Sequence, residues 1–409
     1  MKLVILFLLM LSLGVSAQTG DDRGASIADV KKLVSESFAN KWYERIQMRG
    51  YAHFRYNRLM ETNSKLNCNQ CDKSVGNKQG FFFRRARLVF FGEVSDRVFI
   101  YIQPDYSSDA LAGSPAATQQ NYLQLRDAYF DYAITKDKTW RLRTGLSKVP
   151  FSFETLQSSA NRGPLDRSDA INSGVHNERD MGLVLMYAPT EIRQRFKDLT
   201  ANNLKGSGDY GMIALDVYNG QTMNRPEKNN DLHRALRLAY PVKLESGQFI
   251  ELSLEGYEGK FNTYTPNGAT DRDVYDQRTS AGIIYYPQPI GFQAEWNVGQ
   301  GPEYNPGTNS VTKKNLNGGY AMVNYQYYYG DNRYFPYIRY QQYKGGRKLE
   351  TNATANKVTE WEVGTEWQPM PAVELTAAYA ISDRTTQSSL TNRAHEKGNL
   401  FRLQAQFNY

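Results

Sequence analysis

From Gln47 to the C-terminus, apolar and polar residues alternate in segments of about ten residues, separated by stretches rich in turn-forming residues. The last segment shows the pattern most plainly. In NLFRLQAQFNY, Asn399 to Tyr409, the residues Phe401, Leu403, Ala405, Phe407 and Tyr409 fall on one side of an extended chain. Arg402, Gln404, Gln406 and Asn408 fall on the other. Such a strand has an oily face and a wet face. In a soluble sandwich the oily face meets a second sheet; in a membrane barrel it meets lipid, and the wet face lines the lumen. The spacing predicts strands near 47–58, 81–91, 96–106, 122–133, 139–148, 180–188, 209–218 and 233–241. Further strands are predicted near 248–258, 277–286, 290–299, 318–329, 333–343, 357–367, 372–382 and 399–409. The total is about sixteen, the even number expected of a closed antiparallel barrel.

The connectors test that reading independently, because outer-membrane barrels alternate short periplasmic turns with long outer loops. Short links fall at 92–95, 134–138, 241–247, 287–289, 330–332 and 368–371. Between them lie long ones at 59–80, 107–121, 149–179, 219–232, 259–276, 300–317, 344–356 and 383–398. One link breaks the alternation. Residues 188–209 stand where a short turn belongs, so this is either a longer periplasmic excursion or a misplacement of the strands beside it. The expected architecture is all-β: a transmembrane, antiparallel, up-and-down β-barrel over 47–409.

The N-terminus adds export. MKLVILFLLMLSLGVSA, residues 1–17, has a basic start, an apolar run and a small-residue cleavage site, the pattern of a signal peptide rather than of a membrane span. Cleavage would leave Gln18 first, where a lipid anchor would need a Cys. Residues 18–46 form a separate periplasmic segment, in which Ile27, Val30, Leu33, Val34 and Phe38 have the spacing of a short amphipathic helix. No later run is long and apolar, which excludes a helical membrane protein. The mean hydropathy of −0.62 does not exclude a barrel, whose lumen face and loops are polar. Aromatic residues make up 13% of the chain, with 29 Tyr and 19 Phe, enough to supply interfacial girdles. The net charge of +7 is spread along the chain, which argues against nucleic acid as a partner.

Inside a barrel, inward charge decides what passes. Alternation turns Arg49, His53 and Arg55 inward on the first strand, Arg85 and Arg87 on the second, and Arg141 and Arg143 on the fifth. It does the same for Arg237, Arg339 and Arg402. The acids Asp105, Asp127, Asp131, Glu251, Glu255, Glu295, Glu362 and Glu366 share the polar faces of their own strands. So many charges would be prohibitive in a dry core and indicate a watery interior. Opposed basic and acidic walls set up a transverse field, which orients dipolar solutes more than it selects ions. Each inward Arg has two readings, contact with a passing solute or a salt bridge within the wall. Cys68 and Cys71 form a CxxC in the first long outer loop of an exported chain, which reads as a local disulfide stapling that loop, with metal or redox chemistry as the alternative. No second CxxC, phosphate-cradling Gly loop or nucleophile elbow accompanies it, so neither enzyme, cofactor nor metal is indicated.

Several stretches resemble the phosphate-selective porin O and P family of Gram-negative outer membranes: RRAR at 84–87, QPD at 103–105, LRDAYFDY at 125–132, GLSKVPFSFE at 145–154, Ser158 and Ser159, Arg167, and VYNG at 217–220. The order of these motifs, with the signal peptide and the closing strand, carries the resemblance. It implies a homotrimeric channel in outer-membrane lipid whose third outer loop, 149–179, folds inward as a constriction. On that loop and its flanks Lys148, Arg162, Arg167 and Arg179 stand among Glu154, Asp166, Asp169, Glu178 and Asp180. The terminal strand ending at Tyr409 also looks like the signal that the outer-membrane assembly machinery reads. Two functions are expected to compete: passive diffusion of small anions or other polar solutes, and a closed barrel acting as a scaffold or docking subunit of a larger envelope complex.

Overall fold

A computed structural model describes residues 41–66, 68, 80–107, 122–175, 179–265 and 273–409. The expected signal peptide, the helical spacing of 27–38, Cys71 and Glu178 lie outside the described residues. The chain divides into two units, 1–45 and 46–409. Of the first unit, a 3-10 turn at Trp42–Arg45 is described.

The second unit is a sheet of seventeen strand segments closed on itself. In chain order these are β1 (Gln47–Leu59), β2 (Phe81–Ser95), β3 (Val98–Ser107), β4 (Tyr122–Ala133), β5 (Trp140–Lys148), β6 (Arg179–Tyr187), β7 (Ile213–Tyr218) and β8 (His233–Lys243). They continue as β9 (Phe249–Asn262), β10 (Asp273–Tyr285), β11 (Ile290–Asn305), β12 (Ser310–Tyr325), β13 (Tyr327–Tyr329), β14 (Asn332–Gly346), β15 (Ala355–Met370), β16 (Val373–Gln387) and β17 (Arg393–Asn408). β12 and β13 are one crossing interrupted at Gln326, since both pair with β14. Sixteen antiparallel crossings result, and β1 pairs with β17 to close the ring. Closure leaves no sheet edge, the condition for carrying a β-backbone through hydrocarbon.

The two faces invert the rule for soluble proteins. Leu183, Leu254, Val298 and Val323 each expose half of their surface, and Val363 exposes 54%. Arg55, Arg85, Arg237 and Arg339 are buried, with Arg237 at 0%. An outer wall that is apolar and an inner wall that is charged excludes the soluble sandwich.

Differences from the sequence reading have identifiable causes. Several outer loops are shorter than expected, because β11 runs to Asn305 and β12 starts at Ser310 where a loop was expected over 300–317. β16 and β17 likewise extend into 383–398. Beyond the membrane both faces of a strand meet water, so the period-two signal fades although the ladder continues. Residues 188–212 are a true excursion, containing the helix Thr190–Ala201, with β7 starting at Ile213. Ile192, Phe196 and Leu199 are buried on one side of that helix, at helical spacing.

Two bulges rearrange the inner wall. The β1–β2 register skips Arg84, pairing His53 with Arg85 and Phe54 with Phe83. The β3–β4 register skips Arg126 beside Pro104. Each skipped residue is buried, so two arginines that strict alternation assigns to the lipid side join the bore.

The seam depends on one small residue. Gly50 N–H donates to the Tyr409 carbonyl at 2.6 Å, and Tyr409 N–H donates to the Gly50 carbonyl at 3.0 Å. The Tyr409 ring then lies where a side chain at 50 would stand: a Cβ there would be 2.2 Å from a ring carbon and 2.4 Å from the Arg87 carbonyl oxygen. Gly50→Leu is expected to prevent closure, read as loss of the fast-migrating unheated band on a detergent gel. Tyr409→Ala, which removes the ring while keeping the backbone pair, is expected to weaken the band without abolishing it.

Candidate functional site

The bore is crossed by the segment that follows β5. Its start is fixed by a one-turn helix, Phe153–Leu156, capped by Ser152 and aimed at the far wall, where Phe153 N–H and Glu154 N–H donate to the two carboxylate oxygens of Glu295 at 2.6 and 3.0 Å. Glu154 turns back into the segment, accepting from Ser168 N–H at 2.8 Å and from Ser168 Oγ at 3.0 Å, and accepts from Arg339 at 3.2 Å. Asp166 receives Arg402 at 2.5 Å and Arg55 at 3.4 Å. Asp169 holds Arg347 at 2.9 Å and Arg384 at 3.0 Å, while its N–H donates to Gln341. Ser159 Oγ meets Tyr51 Oη at 2.7 Å and accepts from Arg87 at 3.0 Å. Residues 149–175 are therefore bonded to inward side chains of β1, β2, β11, β14, β16 and β17.

These pairs answer the question posed for each inward arginine. Arg55, Arg237, Arg339 and Arg402 point inward as read but do not face solute. Arg237 pairs with Glu251 at 2.8 Å, Arg339 and Arg402 share Glu362 at 3.3 and 2.6 Å, and all four are covered. Arg141 is taken by Asp209 of the 188–212 excursion at 2.7 Å, and Arg85 is buried in the wall. Burial alone would raise the Asp166 carboxyl, but Arg55 and then Arg402 override it and hold the group well below the usual carboxylate range. Arg162 lies against the Pro164 and Leu165 carbonyls of its own segment. Cys68 is disulfide-bonded.

A second set lies along a cavity. A cavity of about 760 Å³ lies between the crossing segment and the short-turn end, with seven basic side chains on its lining and four acidic ones. The basic ones include Arg49, Arg87, Arg143, Lys148, Arg167 and Arg179. Arg143 and Arg179 are forked onto Asp131 and Asp127, with N–O distances of 2.7 to 3.0 Å. Lys148 donates to the carbonyls of Leu156 and Gln157, and Arg167 to that of Glu154, contacts that orient a cation while bringing no full opposite charge. Arg143 also stacks 3.9 Å from the Tyr129 ring, which lies parallel to Tyr101. Arg333, the seventh, has the same parity on β14 as Arg339 and was legible in the sequence, whereas the bulge residues Arg84 and Arg126 were not.

The excursion narrows the short-turn mouth. Ile192, Phe196 and Leu199 pack with Phe153, Phe249, Ile284 and Tyr286. Lys205 then reaches inward to Glu366 at 2.6 Å, beside Arg333 at 2.8 Å from the same carboxylate.

With this geometry in hand, comparisons place the chain. The model of the family described as phosphate-selective porin O and P matches residues 62–409. No protein with a curated description matches the chain. Among solved structures, it is similar to the outer-membrane channel DcaP of Acinetobacter baumannii, with 16% identity, coverage of 89% of this chain and 97% of that one, and a TM-score of 0.52. It is also similar to OmpF of Salmonella typhi, determined with daunomycin, with 12% identity, coverage of 89% and 97%, and a TM-score of 0.59. An anion-selective porin from Comamonas acidovorans gives 8% identity, coverage of 89% and 99%, and a TM-score of 0.51. At these identities the likeness concerns the fold.

Two outcomes follow from the anchoring. Asp166→Asn leaves Arg55 and Arg402 facing a neutral group, a loss of about 3–5 kcal/mol for breaking a buried pair. Planar-bilayer recordings should then show larger, noisier current steps. Because the folded carboxyl titrates below its unfolded value, its contribution is complete above the ordinary carboxylate pKa and is lost only as pH falls through the depressed folded value. The wild-type step size should therefore stay constant from about pH 8 to about pH 5. Phe196→Ala should cost the helix about 3–5 kcal/mol of docking and raise conductance while the unheated gel band persists.

Proposed function

The chain belongs to the phosphate-selective porin O and P family and is an outer-membrane porin; on that premise we propose that small anions are its preferred solutes and that the cavity basic groups Arg49, Arg87, Lys148 and Arg167 form the path they follow. The carrying observation is the charge on the lining of the open cavity, seven basic side chains to four acidic. A passing anion meets Lys148 and Arg167, oriented by carbonyl oxygens, and Arg87, oriented by Tyr51, Ser159 and its ion pair with Asp105 at 3.1 Å, so these three offer hydrogen-bond donors without first moving. The acids on the same lining keep binding shallow, which a conducting path needs if the ion is to leave.

In this reading residues 149–175 are the constriction, and Glu154, Asp166 and Asp169 are the anchors that set its aperture rather than groups a solute touches. Cys68 and Cys71 staple the first outer loop to itself. The functional unit is a homotrimer, for which native mass spectrometry of the detergent-solubilised protein is the direct check.

The experiment is single-channel recording with a salt gradient, with phosphate added to compete with chloride. Wild type is expected to show an anion-favouring reversal potential and a chloride current reduced by phosphate. Lys148→Gln with Arg167→Gln should shift the reversal potential toward neutrality and relieve the block by about tenfold, the loss of one to two charge-assisted contacts. Folded protein without conductance would sink this proposal and favour the scaffold.

A further inference from the structure

A patch on the outer wall, away from the bore, has no part in that function. At the long-loop end, the outer-facing end in barrels of this kind, the ladder aligns Asn317 of β12, Lys344 of β14 and Lys357 of β15 in one row. Four residues nearer the middle of the barrel the same faces carry Ala321, Tyr340 and Trp361, and two residues further Val323, Ile338 and Val363. Ile338, Trp361 and Val363 are exposed, which fixes this parity as the lipid side. Lys344 and Lys357 share it, are exposed, and stand directly opposite each other. Like charges in that position disfavour the sheet.

More positive charge gathers beside them. Glu303, Lys313, Lys314, Asn315 and Lys344 line a concavity of about 480 Å³. Its single acid lies 3.8 Å from Lys314. Among the described residues Lys313, Lys344 and Lys357 form no salt bridge; Lys313 lies 5.7 Å from the Tyr275 ring. The Tyr340 and Trp361 rings, 4.8 Å apart, mark where the apolar wall begins below. Amphipathic rings at this depth sit at a headgroup boundary.

We propose that this concavity docks the phosphorylated headgroup of an outer-leaflet glycolipid. The lysines neutralise its phosphates, the polar row at Gln342 and Thr359 faces its sugar, and its acyl chains run down Tyr340, Trp361, Ile338 and Val363. A free anion would use the lysines alone; continuity with the exposed aromatic and aliphatic rows favours a lipid. The proposal rests on outer-membrane placement and is independent of conductance.

The test is native mass spectrometry of the full-length protein in detergent, with diphosphorylated lipid A as the probe and its dephosphorylated form as comparison. Wild type should retain the phosphorylated lipid through delipidation. Lys313→Gln, Lys314→Gln and Lys344→Gln combined should lower retention about fivefold or more, as expected for three headgroup-facing lysines. Lys260→Gln, which removes a different exposed lysine of the outer end, should not. Should the triple variant fail to give the unheated gel band, Lys344→Gln alone should still lower retention about twofold. Equal retention of the dephosphorylated lipid, unchanged retention in the variants, or equal loss in Lys260→Gln overturns the proposal. Displacement of the lipid by millimolar inorganic phosphate also overturns it, assigning the pocket to a free anion. Loss of oligomer mass with lipid retention intact overturns it too, and makes the patch a contact between copies.

Discussion

Charge in this molecule has one place to go. The hydrocarbon around a barrel rejects ions, so charged residues of the membrane-spanning part turn inward, and the inner wall collects them from crossings all round the ring. A wall that charged must be either wet or paired. The structure uses both solutions, in different places. Where residues 149–175 lie against the wall, guanidiniums and carboxylates are matched and covered: Arg339 and Arg402 around Glu362, Arg55 and Arg402 around Asp166, Arg347 and Arg384 around Asp169. Where the segment stands away, toward the short-turn end, a cavity remains, with exposed Arg49 and half-buried Arg167 on its lining.

The crossing segment is thus fixed by the same interaction that made the wall costly. Its three acids, Glu154, Asp166 and Asp169, bind arginines contributed by β1, β14, β16, β17 and the loop after β14. These partners lie 111 to 236 residues away in sequence and are adjacent only once the ring has closed. The segment's position therefore depends on barrel closure. Removing one acid takes one counter-charge out of a buried cluster, so that Arg402 would keep Glu362 but lose Asp166, and the effect should exceed that of neutralising an exposed lysine. The helix Thr190–Ala201 reaches the same region from the other end by a different means, an apolar face docked on Phe249, Ile284 and Tyr286.

Much of this was legible in the sequence because membrane and lumen enforce period two so strictly. The sixteen crossings, the face of each, and the inward direction of Arg87, Arg143, Arg237, Arg339 and Arg402 all follow from it. Pairing did not, since alternation gives a residue's direction and says nothing of which acid lies opposite; Arg237 and Arg143 look alike in sequence, yet one is sealed against Glu251 and the other, forked onto Asp131, borders the cavity. Bulges escaped for a related reason. Arg84 and Arg126 join the bore through one extra residue in their strands, and a single inserted position leaves the apolar pattern on either side intact. The helix in 188–212 carried its own signal in Ile192, Phe196 and Leu199, at a period that a search for strands passes over.

Selectivity then becomes a question of which charges are left over. Net charge over the chain is +7, too diffuse to choose between ions by itself. Pairing removes most wall charge from the reckoning, because a bidentate pair such as Arg179 with Asp127 presents little field a few ångströms away. In the proposed reading the remainder is set chiefly by Lys148 and Arg167, which donate to the carbonyl oxygens of Leu156, Gln157 and Glu154. Lys148 ends β5, and Arg167 lies on the segment that follows it. On the proposed reading, in which residues 149–175 narrow the bore and help to set its charge, aperture and ion preference should change together when that segment is disturbed, and apart only when its charges are altered with its anchors intact.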